Sequence, residues 1–220
     1  MHDFTIKEKI LSKNDELAGE NRVLLRERGV YSINMVSSPG SGKTSVIEKT
    51  LEALKGKLEV AVIEGDLQTD LDAQRIKKHG VPVRQITTGK ACHLDAHLVG
   101  GALDWLFSHP EVRLLIIENV GNMVCPAEYD LGEDAKVVVM SAPEGDDKPL
   151  KYPAIFHASD VLLINKTDLI PHTDFSMARA RKNALAINPG LKIFETSCVT
   201  GEGIDAWVNY LTGEMMTVVP

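Results

Sequence analysis

Short, continuous apolar runs alternate along this chain with longer stretches in which apolar residues recur at helical spacing. The continuous runs predict buried strands at Tyr31–Val36, Leu58–Ile63, Val83–Ile86, Val112–Ile117, Val137–Met140, Val161–Ile164 and Lys192–Phe194. The periodic stretches predict helices at Thr44–Leu54, Leu71–His79, Ala96–Phe107, Tyr152–His157, Ser176–Ile187 and Ile204–Leu211. Such alternation requires right-handed crossovers, so the expected class is α/β, three layers with a mostly parallel sheet covered by helices on both faces. Ligands then collect at the carboxyl ends of the strands. Residues 1–29 read as a charged amphipathic helix, with Ile6, Ile10, Leu17 and Leu24 as anchors, packed outside a domain spanning residues 30–220.

Two short strings fall at those strand ends. Residues 37–44, Ser-Ser-Pro-Gly-Ser-Gly-Lys-Thr, lie between a predicted strand and a predicted helix. A Gly-rich loop there aims backbone N–H groups and a helix N-terminus at phosphates, which makes the fold a P-loop NTPase. Gly40, Ser41, Gly42, Lys43, Thr44 and Ser45 are its phosphate contacts. Lys43 reaches the β- and γ-phosphates, and Thr44 offers its hydroxyl to Mg²⁺. The usual pattern opens with Gly where this chain has Ser37. Residues 165–168, Asn-Lys-Thr-Asp, follow the apolar run at 161–164. An Asp168 carboxylate can accept from both the ring N–H and the exocyclic amine of guanine, a donor pair that adenine lacks. With Asn165 and Lys166, it predicts GTP or GDP as the nucleotide.

Other elements follow by position. Glu118-Asn119-Val120-Gly121 is an acidic turn at a strand end, where the Gly121 N–H could meet a γ-phosphate and Glu118 a water on Mg²⁺. A plain strand-end turn accounts for the same four residues. Gly65–Asp72 carries three carboxylates, Asp66, Asp70 and Asp72. Some of them cap the helix expected to begin near Asp70. Asp66 is the expected Mg²⁺ ligand, and Asp72 approaches the metal or the attacking water. Ser197, Cys198 and Val199 sit where a backbone N–H would meet the guanine carbonyl.

The thiols carry the remaining chemistry. Cys92 and His93 are adjacent, His97 stands four residues after His93, and Cys125 follows the acidic turn. Thiolate and imidazole suit Zn²⁺ and Ni²⁺, and positions four apart share a helix face. Three or four donors are few for a closed site, and a two-fold axis would double them. A buried structural cysteine with surface histidines is the alternative reading.

Composition narrows the setting. The chain has 220 residues, 44% of them hydrophobic, enough for one well-filled domain. A net charge of −7 with interspersed signs gives no nucleic-acid footprint, and no apolar run reaches membrane-spanning length. No secretory leader pattern opens the sequence, and three unpatterned cysteines fit a reducing compartment, which predicts a cytoplasmic protein.

Gly89-Lys-Ala-Cys92-His93-Leu-Asp-Ala-His97, Glu118-Asn-Val-Gly-Asn-Met-Val-Cys125-Pro126 and Asn165-Lys-Thr-Asp168 together resemble the HypB family of hydrogenase nickel-incorporation GTPases over nearly the whole chain. The resemblance implies a GTP-hydrolysing metallochaperone that dimerises around nucleotide and delivers nickel during maturation of nickel–iron hydrogenase. A nickel-delivery partner and a hydrogenase precursor follow from it. It also implies that Cys92, His93 and Cys125, with His97 as a further candidate, bind Ni²⁺ or Zn²⁺ near the dimer interface. Some members carry an N-terminal nickel store of Cys or His, whereas residues 1–29 here hold only His2. A urease-type accessory GTPase would show Cys-Pro-His, but here His93 follows Cys92 directly. A metal-free GTPase switch with structural thiols is the third reading.

Overall fold

The computed structural model describes residues 2–66, 71–89 and 91–218, with side chains described from Glu8 onward. Its strands are β1 (Tyr31–Ser37), β2 (Val60–Asp66), β3 (Val83–Thr87), β4 (Leu114–Glu118), β5 (Ala135–Ser141), β6 (Val161–Asn165) and β7 (Lys192–Glu195). They form one seven-stranded sheet in the order β3-β2-β4-β1-β5-β6-β7, parallel throughout. The helices are α1 (His2–Glu27), α2 (Lys43–Leu54), α3 (Leu71–Lys77), α4 (Ala96–Phe107), α5 (Lys148–Lys151), α6 (Pro153–His157), α7 (Met177–Ile187) and α8 (Ile204–Val218).

Alternate residues of each strand feed opposite faces, as the two-residue side-chain period requires. Ile33, Met35, Val62, Ile116 and Val139 pack with α2 and α8, around Trp207. On the other face, Ile63, Leu115 and Ile117 pack with α4, and Val138, Met140 and Leu162 with α6 and α7. The three expected layers are present. Between the two apolar groups of the second face lie buried Ser32, Asn34 and Asn119, a polar seam running to the end of β4.

The boundaries differ where polar chemistry intrudes. The strand expected at Leu58–Ile63 runs instead from Val60 to Asp66. The Leu58 N–H is held by the last turn of α2, bonding Leu54 O at 3.1 Å, and the strand extends to carry Glu64 and Asp66 to its end. The helix expected at Tyr152–His157 is broken at Tyr152, because Pro153 disfavours a helical residue before it. Of the carboxylates expected to cap α3, Asp70 lies outside the described residues.

The anchors of α1 also differ. Ile10 and Leu24 are 53% and 43% exposed, Leu17 is half-buried, and the side chain of Ile6 lies outside the described residues. The inward face is Asn14, Ala18, Asn21 and Leu25. Asn21 Nδ2 donates to Ala96 O at 2.8 Å and to Leu131 O at 3.0 Å, while Asn14 Oδ1 accepts from the Ala96 N–H at the start of α4. Unpaired groups at a helix terminus outcompeted apolar contacts for this face.

Candidate nucleotide and metal sites

The loop after β1 and the N-terminus of α2 open into a cleft of ≈ 510 Å³, lined by Gly40, Gly42, Lys43, Thr44 and Ser45 from the phosphate loop and by Glu64, Asp66, Asp72, Gly121 and Lys166 from around it. Gly40 and Gly42 have φ of 78° and 94°, which is why glycine stands at both. Ser37 ends β1 without positive φ, so the departure from the usual opening Gly leaves the loop geometry intact. Ser41 is buried, its hydroxyl donating to Ser38 O at 3.0 Å. Ser45 Oγ accepts from Arg75, which sequence reasoning had not placed beside the cleft.

At the cleft floor, Glu118 Oε1 accepts from the Thr44 hydroxyl at 2.7 Å and lies 3.2 Å from Lys43 Nζ. Glu64 is the residue the sequence did not offer. It pairs in register with Glu118 across β2 and β4, so the two side chains emerge side by side. Glu64, Asp72 and Glu118 bring carboxylate oxygens within 4.8 Å of one another. Burial, and then the Glu118 carboxylate, pushes Glu64 far above the usual carboxylate range. Asp66 lines the same cleft but stands outside that group, one pleat further along the strand. Finding Glu64 required knowing that β2 and β4 are neighbours. Gly121 lies where a Cβ would come within 3.2 Å of the Pro39 ring, so glycine lets the turn after β4 rest on the phosphate loop.

The loop Asn165-Lys166-Thr167-Asp168 is held against the Gly-rich loop after β1. Lys166, with φ 59°, places Nζ 2.6 Å from Gly40 O. Asp168 is half-buried and accepts from the Ser197 hydroxyl. The Ser197 N–H bonds Glu202 O at 3.0 Å, so a backbone donor to guanine from this segment falls to Cys198 or Val199. Cys198 is half-buried and bonded to Asn165 Oδ1, burial pushing its thiol up to about 11, which marks it as a packing residue. Val199 is 85% exposed.

The thiols converge. Cys92 Sγ lies 2.9 Å from Cys125 Sγ and 3.5 Å from His93 Nδ1, and the three donor atoms lie within 4.8 Å of one another. The His93 ring packs against Tyr129 at a tilt of 45° with centroids 4.0 Å apart, and burial lowers its pKa, favouring the neutral imidazole that ligates metal. His97 stands apart. The helix begins at Ala96 behind an Asp95 cap, so His93 precedes the helix and does not share a face with His97. His97 is exposed and lines a shallow groove with Arg84 and Leu98.

A phosphate loop after β1, an Asn-Lys-x-Asp loop after β6 and a parallel sheet between two helical layers define a P-loop GTPase. Residues 32–195 match the nucleotide-binding domain shared by CobW, HypB and UreG. The chain belongs to the hydrogenase maturation factor HypB family. It is 52% identical over 206 residues to HypB of Rhizobium leguminosarum bv. viciae, covering 94% of this chain and 69% of that protein. The crystal structure of HypB from Helicobacter pylori in complex with nickel matches with TM-score 0.90 at 39% identity, over 94% of this chain and 97% of that one. HypB from Archaeoglobus fulgidus matches with TM-score 0.86 at 38% identity, over 93% and 99% of the two chains. Among the described residues no helix is long and apolar enough to cross a membrane.

Proposed function

We propose that this protein is a GTP-driven nickel carrier, hydrolysing GTP to GDP and phosphate while binding nickel and delivering it during maturation of nickel–iron hydrogenase. One observation carries the reading. The Cys92–His93–Cys125 cluster is built in part on the segment that leaves β4, the strand whose last residue, Glu118, contacts both Thr44 and Lys43 in the phosphate loop.

Mg²⁺ fits the cleft floor. Among the described residues, Glu64 Oε2 and Glu118 Oε2 are buried without a hydrogen-bond partner, and the Thr44 hydroxyl lies beside Glu118. These oxygens are hard donors of the kind Mg²⁺ takes. When bound, the ion supplies charge neutralisation at the phosphates. Lys43 adds a second positive charge from the loop, Gly121 offers its N–H to the γ-phosphate, and half-exposed Asp72 orients the attacking water. Asn165, Lys166 and Asp168 select guanine.

Nickel is the cargo. Two thiols and one imidazole form a donor set suited to Ni²⁺ and equally to Zn²⁺. Three donors leave a coordination position for a second copy of the chain, consistent with a GTP-dependent homodimer. Equilibrium dialysis against nickel, phosphate release from GTP, and a pull-down probed for hydrogenase maturation proteins test the reading together. Stoichiometric nickel, slow turnover and capture of a maturation protein or hydrogenase precursor are expected. Absence of nickel binding would leave a GTPase switch without cargo.

A further inference from the structure

The buried polar seam on the second face of the sheet ends at Asn119, which is 1% exposed. Its Oδ1 accepts from the Leu94 N–H at 3.0 Å and from the Val120 N–H at 2.9 Å. Its Nδ2 donates to Asn34 Oδ1 at 3.2 Å, and Asn34 donates onward to Glu133 Oε1 at 3.1 Å. A buried amide with bonds on both its oxygen and its nitrogen is held in one orientation by its neighbours.

Its position in the chain gives those bonds their meaning. Asn119 follows Glu118, which holds Thr44 and Lys43, and precedes by two residues Gly121, which rests on Pro39. Leu94 follows Cys92 and His93 directly in sequence and is fully buried. Its side chain also fills the space beside Gly65 at the end of β2, where a Cβ would lie 2.8 Å from the leucine. The Cys92–His93 segment is therefore pinned at Leu94 to both strand ends that line the phosphate cleft. Cys125 is carried on the other side by the turn that begins at Asn119. Asn122 clasps the two segments, donating to Cys92 O at 3.3 Å and accepting from the Val124 N–H at 2.8 Å.

We propose that Asn119 is the positioning residue that couples the two sites: it locks the Cys92–His93 segment to the turn after β4, so that movement of this turn with the γ-phosphate changes the geometry of the thiol–imidazole cluster. The proposal rests on the nickel and GTP reading above and says which side chain joins its halves. The network is contiguous: Asn119 and Asn122 both contact the turn and the metal-ligand segment, and Asn119 is the buried one, next to the Glu118 that holds Thr44 and Lys43. By linkage, the nucleotide state that favours metal must itself be favoured by metal, by the same factor.

The test compares Ni²⁺ affinity of the intact chain loaded with GDP and with a non-hydrolysable GTP analogue. A ratio of at least about fivefold between the two states is expected in the unmodified protein, within the usual range for coupled sites. In Asn119→Ala the ratio should collapse to within about twofold, while GDP affinity and thermal cooperativity are retained. A merely structural role would lower thermal stability and leave the ratio intact, which would overturn the proposal. Should that variant fold poorly, hydrogen exchange of the Leu94 amide in the unmodified protein decides. Its protection must differ between the two nucleotide states and respond to nickel, and identical protection overturns the proposal. Failure of nickel to bind the unmodified protein overturns the metal reading and this inference with it. Nickel binding with equal affinity in both states overturns the inference alone.

Discussion

Asn165 donates its side-chain amide to the carbonyl of Ser41 at 3.0 Å, so the Asn-Lys-Thr-Asp loop braces the Gly-rich loop after β1. The enclosure is tight. A Cβ on Gly42 would lie 2.5 Å from Asn165 Nδ2. Thr196 and Cys198 both bond Asn165 Oδ1, fixing the amide from behind. The two sequence signatures, 124 positions apart, are therefore parts of one body.

This geometry makes base choice testable at a single atom. The Ser197 hydroxyl donates to Asp168 Oδ1, holding the carboxylate in place as an acceptor. Asp168→Asn would replace one acceptor oxygen with an amide that meets guanine's donors with a donor of its own. A loss of GTP affinity of at least tenfold, about 1.4 kcal/mol, is expected, with preference shifting toward xanthine nucleotides. Calorimetry with both nucleotides checks it, and unchanged GTP binding would remove Asp168 from the site.

What was legible in the sequence was local. The phosphate loop announces itself because glycines at positions 40 and 42, followed by Lys43 and Thr44, serve a backbone conformation few other residues adopt. The strands announce themselves because both faces of a parallel sheet are covered, leaving runs such as Val161–Ile164 wholly apolar. Glu64 was not legible, since its role comes from pairing with Glu118 across β2 and β4. The inward face of α1 was not legible either. Periodicity scores leucine and isoleucine, whereas Asn14 and Asn21 hold this helix through backbone partners distant in sequence. His97 misled because a spacing of four residues means a shared face only where both residues are helical.

Asn21 therefore carries a stability prediction. Asn21→Ala would leave Ala96 O and Leu131 O without the donor they now share. A cost of about 1–3 kcal/mol is expected for unsatisfied buried groups. Leu24→Ser, on the outward face of the same helix, should stay within about 0.5 kcal/mol. Denaturant midpoints for the two variants rank the faces, and a larger loss for Leu24→Ser would restore the apolar anchor.

Metal affinity should depend on pH through Cys92. The hydrogen bond to Cys125, and then burial, pushes its thiol up, so near neutral pH the proton stays on sulfur. Nickel must displace that proton, and affinity should fall about tenfold per pH unit for each proton released as the solution is made acid. Cys92→Ala and Cys125→Ala should each weaken Ni²⁺ binding at least tenfold while sparing GTP, whereas His97→Ala should change neither. Competition titration against a chromophoric chelator checks all three. Full metal affinity in either cysteine variant would contradict the ligand assignment.

Assembly supplies the last prediction. Among the described residues the cluster offers two thiols and one imidazole from one chain, one donor short of the four a closed tetrahedral site requires. Cys125 sits four residues past Gly121 on the turn that lies against Pro39, next to Val124, which is 62% exposed. An exposed apolar side chain beside an incomplete donor set marks a surface that a two-fold partner would cover, each copy completing the other's site. On the proposed reading, a γ-phosphate met by the Gly121 N–H would act on this surface, because Gly121 and Val124 share one turn. A non-hydrolysable GTP analogue should therefore favour the dimer over the GDP state, and nickel should strengthen that preference. Sedimentation equilibrium of the full chain in the two nucleotide states, with and without nickel, measures the shift directly. Equal masses in every condition would mean that the turn after β4 does not govern assembly, and Val124→Asp should then leave the mass unchanged as well.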